Sequence, residues 1–249
     1  MQCVILAGGL GTRMWPVAKT VPKTMLPVAG RPFADWQLDW LARAGVTSVV
    51  YCIGYLGEQV RDHVGDGAGY GLEVRYVDEG AELRGTGGAL RLALEEGVLD
   101  ERFLVLYGDS WLQVDPAAVF AAAERSGRPA LMTVFRNEGL FDASNVEYAD
   151  GVVLRYEKGL AEATPPSMRW IDYGLSVLSR TLVEEEIPSG AKHDLASLLT
   201  PLAAAGRLAG YLVTERFYEI GSPSGLEEAE ALLGQTGGQA GGRTDGRTG

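Results

Sequence analysis

The sequence predicts an α/β fold: a doubly wound, mostly parallel sheet followed by a mixed α+β second half. Three observations predict it. Apolar runs of strand length alternate with helix-length stretches as far as Tyr107, giving a βαβ rhythm. These runs are nearly continuous in apolar residues, the pattern of strands covered on both faces. The first run breaks into Gly8-Gly9-Leu10-Gly11, at the carboxyl end of a strand, where open α/β sheets present ligand-facing loops.

Each element follows from a local pattern. Strands are expected at Val4 to Leu6, Ser48 to Ile53, Val74 to Val77 and Phe103 to Tyr107, with helices at Phe33 to Ala44, Glu58 to Val64 and Gly87 to Leu94 between them. After Asp115 the rhythm loosens. A helix at Ala117 to Arg125 and a strand at Ala130 to Phe135 lead into a hairpin, "NVEYADGVVLRYEK", turning at Asp150-Gly151. A helix at Asp194 to Ala205, a strand at Leu208 to Val213 and a helix at Pro223 to Leu233 close the fold. One domain is expected over residues 1–233, with no internal repeat. The tail at 234–249 is Gly-rich and polar, without apolar periodicity, and is expected to be disordered.

Composition excludes several classes of protein. With 249 residues, 46% apolar and 22% charged, the chain can bury a substantial core. A net charge of -11 without any Lys/Arg-rich run disfavours nucleic acid and anionic membranes as partners. No apolar run is long enough to span a bilayer, and the N-terminus lacks the basic region and apolar stretch of a signal peptide. Cys3 and Cys52 lie in apolar strand-like stretches and read as buried thiols, so a cytoplasmic location is expected. His63 and His193 show no metal-ligand spacing, and the tryptophans read as core or pocket-wall residues.

The glycine turn places bare backbone N–H groups at the sheet edge, an arrangement suited to phosphates. It is not the dinucleotide fingerprint, whose third glycine would fall on Met14, nor a Walker loop, since no Lys-Ser/Thr follows its last glycine. It carries Thr12 and Arg13, and ten residues further on Lys23 lies between Pro22 and Thr24, so two cations share one region. Asp109 ends an apolar strand and therefore belongs to the same edge, a natural place for Mg²⁺.

The strings "LAGGLGTRM" and "PKTMLPVAGRPF", followed in order by "GTGGAL", "YGDS", "YEKG" and "FYEIGSPSGL", resemble the signature of the sugar-1-phosphate nucleotidylyltransferases. The wording is closest to the heptose 1-phosphate guanylyltransferase and muramic acid 1-phosphate uridylyltransferase branches. The resemblance implies a Rossmann-like nucleotidyltransferase fold and a reaction between an NTP and a sugar 1-phosphate, giving an NDP-sugar and pyrophosphate. The attacking phosphate oxygen is already anionic, so catalysis consists of holding two anions in line and neutralising the leaving group.

The same resemblance implies roles. Leu6, Ala7, Gly8, Gly9, Gly11 and Thr12 would lie against the nucleotide, with Arg13 on its β and γ phosphates and Lys23 between the reacting phosphates. Gly85, Thr86 and Gly87, with Gly88, would admit the base. Lys158 would hold the sugar phosphate, with Glu157, Asp172 and Gly174 toward the sugar. Asp109 and Glu219 would hold Mg²⁺, Glu219 standing where the family usually has Asp and reaching one methylene further. Arg13, Lys23 and Asp109 are the expected catalytic set. The donor and acceptor best matching this wording are GTP and a heptose or mannose 1-phosphate. Uridylyl or thymidylyl transfer, transfer to another small phosphate such as phosphocholine, and a non-catalytic sensor or regulatory role are the alternatives. A monomer or small homo-oligomer is expected, since no assembly segment is visible.

Overall fold

A computed structural model describes residues 1–11, 14, 19–80, 82–137, 141, 143–159 and 164–237. Strand β1 (Gln2–Leu6) is apolar from Cys3 onward because both its faces are covered: Val4 packs into one core and Cys3 and Ile5 into the other. A two-residue ribbon of β2 (Pro27–Val28) and β3 (Arg31–Pro32) then leads into α1 (Phe33–Arg43). Three parallel strands follow in alternation with helices: β4 (Ser48–Ile53), α2 (Gly57–Val64), β5 (Glu73–Asp78), α3 (Gly85–Glu95) and β6 (Arg102–Tyr107). Strand β1 sits between β4 and β6, with Leu6 level with both Cys52 and Tyr107, so three strands end at one edge.

The second half runs β7 (Ser110–Trp111), α4 (Pro116–Ser126), β8 (Ala130–Arg136), the hairpin β9 (Val146–Ala149) and β10 (Val152–Tyr156), β11 (Trp170–Ser179), α5 (Arg180–Glu186), α6 (Leu195–Ala204), β12 (Leu208–Val213), β13 (Tyr218–Glu219) and α7 (Pro223–Gly237). Asp150 and Gly151 both take positive φ at the expected hairpin turn. The last helix continues past Leu233 to Gly237; the rest of the expected tail lies outside the described residues.

Among the described residues the main sheet has the order β5-β4-β1-β6-β11-β8-β12-β10-β9. Helices α3, α5 and α6 cover one face, and α1, α2 and α4 the other. The ten-residue strand β11 had no counterpart in the expected elements, nor had α5. It joins the two halves of the sheet by pairing antiparallel with both β6 and β8. Because β11 runs against β6, its early residues Asp172–Gly174 lie at the edge where β6 ends. No described helix is long and apolar enough to cross a membrane.

Candidate active site

Two cavities open side by side at that edge. The first, of about 230 Å³, is walled by the loop after β1, Lys23-Thr24, Glu79, Leu83 and the start of α3. The second, of about 450 Å³, is walled by residues of β10 and β11 with Asn145, Lys158 and Glu219. Tyr107 and Asp109 line both. The expected residues Leu6, Ala7, Gly8, Gly9, Lys23, Gly85, Thr86 and Asp109 thus gather around the first cavity, and Lys158, Asp172, Gly174 and Glu219 around the second. Gly11 is described but walls neither, and Thr12 and Arg13 lie outside the described residues.

The glycine at position 8 has a definite cause. A side chain there would begin 2.3 Å from Oε1 of Glu79, so only glycine lets that carboxylate reach the loop. The other oxygen, Oε2, accepts the backbone N–H of Arg84 at 2.7 Å. Burial raises the Glu79 pKa above the ordinary carboxylate value, and the Arg84 N–H opposes this. Glu79 escaped the sequence reading. Its signal was an acid directly after a buried parallel strand, at the edge where such folds place ligands.

Two of the glycines opening α3, Gly87 and Gly88, face another segment of the chain. The carbonyl of His193 accepts the N–H groups of Gly87 and Gly88, at 2.9 and 3.0 Å, and so occupies the helix N-terminus. Side chains at 85 and 87 would each meet His193 at 2.7 Å. Gly87 and Gly88 are therefore glycines because a chain segment crosses over them, and neither walls the first cavity. Thr86 accepts the Leu195 N–H at 2.8 Å, tying the same crossing segment down.

The acidic turn after β6 is held from three sides. Lys23 pairs with Asp109 across the mouth of the first cavity, each side chain about 20% exposed. The amide of buried Gln37 donates to the carbonyls of Tyr107 and Ser110, at 2.9 and 2.8 Å. The short ribbon β7–β13 sets Glu219 opposite Ser110, while the Ile220 N–H donates to the Asp109 carbonyl at 2.9 Å. Two carboxylates remote in sequence thus share one cavity. No cluster of three or more metal-ligating side chains occurs among the described residues. A pair facing an open cavity nonetheless suits Mg²⁺, which takes one or two carboxylates and completes its shell with phosphate oxygens and water.

In the second cavity Lys158 donates to Asp194 at 2.8 Å. Burial pushes the Asp194 pKa up, but hydrogen bonds from Lys158 and the Ala196 N–H outweigh it and leave the value lowered. Asp172 accepts from the Gly174 N–H at 3.0 Å and from the Tyr156 hydroxyl at 3.3 Å, and its own N–H donates to Asn145. Burial leads, and the Asp172 pKa is raised.

Glu157 does not join this cavity. It lies just past the end of β10 and pairs with Arg155 at 2.6 Å beside an outer groove, whereas Tyr156 and Lys158 line the cavity. Asn145, Tyr107 and Tyr156 are the polar groups that the sequence reading missed. They come from a loop, a strand end and a hairpin whose meeting depends on the unforeseen strand β11.

A glycine loop, a lysine–aspartate pair and two adjoining cavities at the carboxyl edge of a parallel sheet define a nucleotide-dependent group-transfer enzyme of α/β type. Residues 2–141 match the family model described as nucleotidyl transferase. The N-acetylmuramate alpha-1-phosphate uridylyltransferase of Neisseria meningitidis is 30% identical over 94% of this chain and 99% of its own. The mannose-1-phosphate guanylyltransferase of Mycobacterium tuberculosis is 30% identical over 94% of this chain and 64% of its own. The structure of HddC from Yersinia pseudotuberculosis complexed with GMP-PN shares the fold, with a TM-score of 0.76 at 24% identity over 93% of this chain and 99% of that one. The chain belongs to this nucleotidyl transferase family, as a sugar-1-phosphate nucleotidylyltransferase.

Proposed function

We propose that the enzyme transfers guanylyl from GTP to a heptose or mannose 1-phosphate with Mg²⁺. An oxygen of the sugar phosphate attacks the α-phosphorus, the bond from that phosphorus to the β-phosphate oxygen breaks, and pyrophosphate leaves with the electron pair. No proton needs to move. The observation that carries this reading is the meeting of the two cavities at Asp109, beside Lys23. In this reading the nucleotide fills the first cavity and the sugar phosphate the second, with Lys23 and Lys158 offsetting the charge of two anions. Mg²⁺, held by Asp109 and Glu219, would supply charge neutralisation on the phosphates.

The first cavity favours guanine on chemical grounds. Leu6, Ala7, Leu83 and Ala89 give it apolar walls suited to a flat ring, and the buried Glu79 gives it one carboxylate. Guanine offers adjacent N–H and amino donors to such a group. Uracil and thymine offer a single N–H flanked by carbonyls, which a carboxylate repels. UTP is the competing donor, because the relative matched over nearly its full length is a uridylyltransferase.

Pyrophosphate release decides the matter, with GTP, UTP, dTTP, CTP and ATP crossed against mannose, glucose, heptose and amino-sugar 1-phosphates. Strongest turnover with GTP is expected. Strongest turnover with UTP overturns the base assignment, and silence across the grid from a protein that still binds nucleotide overturns the reaction. Chelation of Mg²⁺ should abolish product formation.

A further inference from the structure

Tyr107 stands where the two cavities meet, and its hydroxyl is unused. Lining the second cavity, Asp109, Asn145, Tyr156, Lys158 and Asp172 each have a hydrogen-bond or ion-pair partner. The Tyr107 hydroxyl has none among the described residues, although tyrosine hydroxyls packed inside proteins usually find one. Its position is nevertheless fixed. The residue is paired with Leu6 in the sheet, and its carbonyl receives the Gln37 amide at 2.9 Å. A hydroxyl that is held firmly, left unpaired and turned toward a cavity is placed for a ligand.

The surrounding charges restrict what that ligand group is. A tyrosine phenol is protonated near neutral pH, so the group offers an O–H donor. Asp172, which lines the same cavity, disfavours an anion beside the hydroxyl, while the phosphates have Lys23 and Lys158. A neutral oxygen close to the reacting phosphate remains, and the sugar hydroxyl adjoining the phosphate-bearing carbon satisfies that description. Resting on the assignment of the second cavity to the sugar phosphate, we infer that Tyr107 is a specificity-determining residue whose hydroxyl donates to the acceptor's 2-hydroxyl.

The test is equilibrium binding by calorimetry of mannose, glucose and D-glycero-D-manno-heptose 1-phosphates, with 2-deoxyglucose 1-phosphate as the analogue lacking the hydroxyl. Tyr107→Phe keeps the ring and removes only the oxygen. The variant should bind its best sugar phosphate about 3- to 10-fold more weakly, the value of one hydrogen bond. It should bind the 2-deoxy analogue as the wild type does, and GTP unchanged. An equal loss for the deoxy analogue, a loss confined to GTP, no loss at all, or no binding of any sugar phosphate by the wild type overturns the inference. Normal binding of the sugar phosphates without pyrophosphate release from any pairing would instead sink the proposed reaction and leave Tyr107's role standing.

Discussion

The first cavity is drawn from neighbouring parallel strand ends, and much of its wall is backbone: Gly8, Gly9 and Gly108 contribute no side chain beyond hydrogen. The second is drawn from a loop, a hairpin, the antiparallel strand β11 and the distant β13, and its wall is mostly polar side chains. Backbone recognition tolerates changes in side chains but not the addition of a Cβ where the chain is crowded. Side-chain recognition behaves in the opposite way. The two halves of the site should therefore fail differently when altered, and the residues they share should be the most sensitive.

Lys23 and Asp109 stand at the junction, so the largest effect is expected there. Lys23→Ala should lower kcat by about 10²–10³-fold, the range seen when one charge-stabilising donor is lost. Thermal stability should change little, because a partly exposed ion pair contributes about 0–1 kcal/mol. Steady-state kinetics and a melting curve on the same sample check both halves of this statement. Retention of most activity in folded protein would remove Lys23 from the reaction.

Two glycines sharpen the contrast between ligand-facing and structural crowding. Gly8→Ala collides with the Glu79 carboxylate, and Gly87→Ala with the His193 ring, at 2.3 and 2.7 Å respectively. The first should raise the KM for nucleotide by displacing a group that walls the cavity. The second should lower stability by about 1–3 kcal/mol, the usual cost of overpacking, with nucleotide KM near normal. Urea unfolding and nucleotide titrations of both variants test the pairing. A Gly87 variant with normal stability and a raised nucleotide KM would return that glycine to the base-binding role expected from the sequence.

That reversal at Gly87 marks the boundary of what the sequence makes legible. Continuous apolar runs report that a strand is covered on both faces, so the parallel half and the loop after β1 could be read closely. A glycine next to a helix reports only that something approaches it. Whether a ligand or the segment around His193 does so is a tertiary fact. Likewise "WIDYGLSVL" carries Gly174 at positive φ in mid-run, and its pairing with β8 is irregular between Asp172 and Ser176, so its pattern does not announce a strand. Once β11 went unseen, the meeting of Asp172 with Tyr107 could not be foreseen. Asp172, Gly174 and Lys158 were reached through motif resemblance, whereas Glu79, Gln37, Asn145 and Tyr107 belong to no quoted role and emerge only from the assembled edge.

A smaller effect separates by pH Asp172, which lines the second cavity, from Asp194, the partner of Lys158. The folded pKa of Asp172 is raised, so its contribution to stability is fully present below the unfolded value of about 3.9 and is lost as pH rises through the folded value. That of Asp194 is lowered, so its contribution is present above the unfolded value and is lost as pH falls through the folded one. Relative to wild type, Asp172→Asn should gain stability as pH rises from acid toward neutrality. Asp194→Asn should be less stable near neutrality, with the deficit shrinking in acid. Denaturation midpoints across pH distinguish them, and parallel curves for the two variants would contradict the assigned environments.

The smallest effect is expected from Glu157, the residue that motif resemblance placed on the sugar. Its partner is Arg155, two residues back, and both belong to an outer groove with Leu154 and Thr200. A carboxylate in that groove lies outside the second cavity, and turning it inward would disturb the neighbouring Lys158, which is bonded to Asp194. Glu157→Gln should therefore leave kcat/KM for the acceptor within about 2-fold and stability within about 0.5 kcal/mol, as for an ordinary surface substitution. Lys158→Gln, one residue away, should weaken acceptor binding clearly. Equal losses from the two variants would mean that the hairpin rotates when the sugar phosphate binds, and that the second cavity is completed by its ligand.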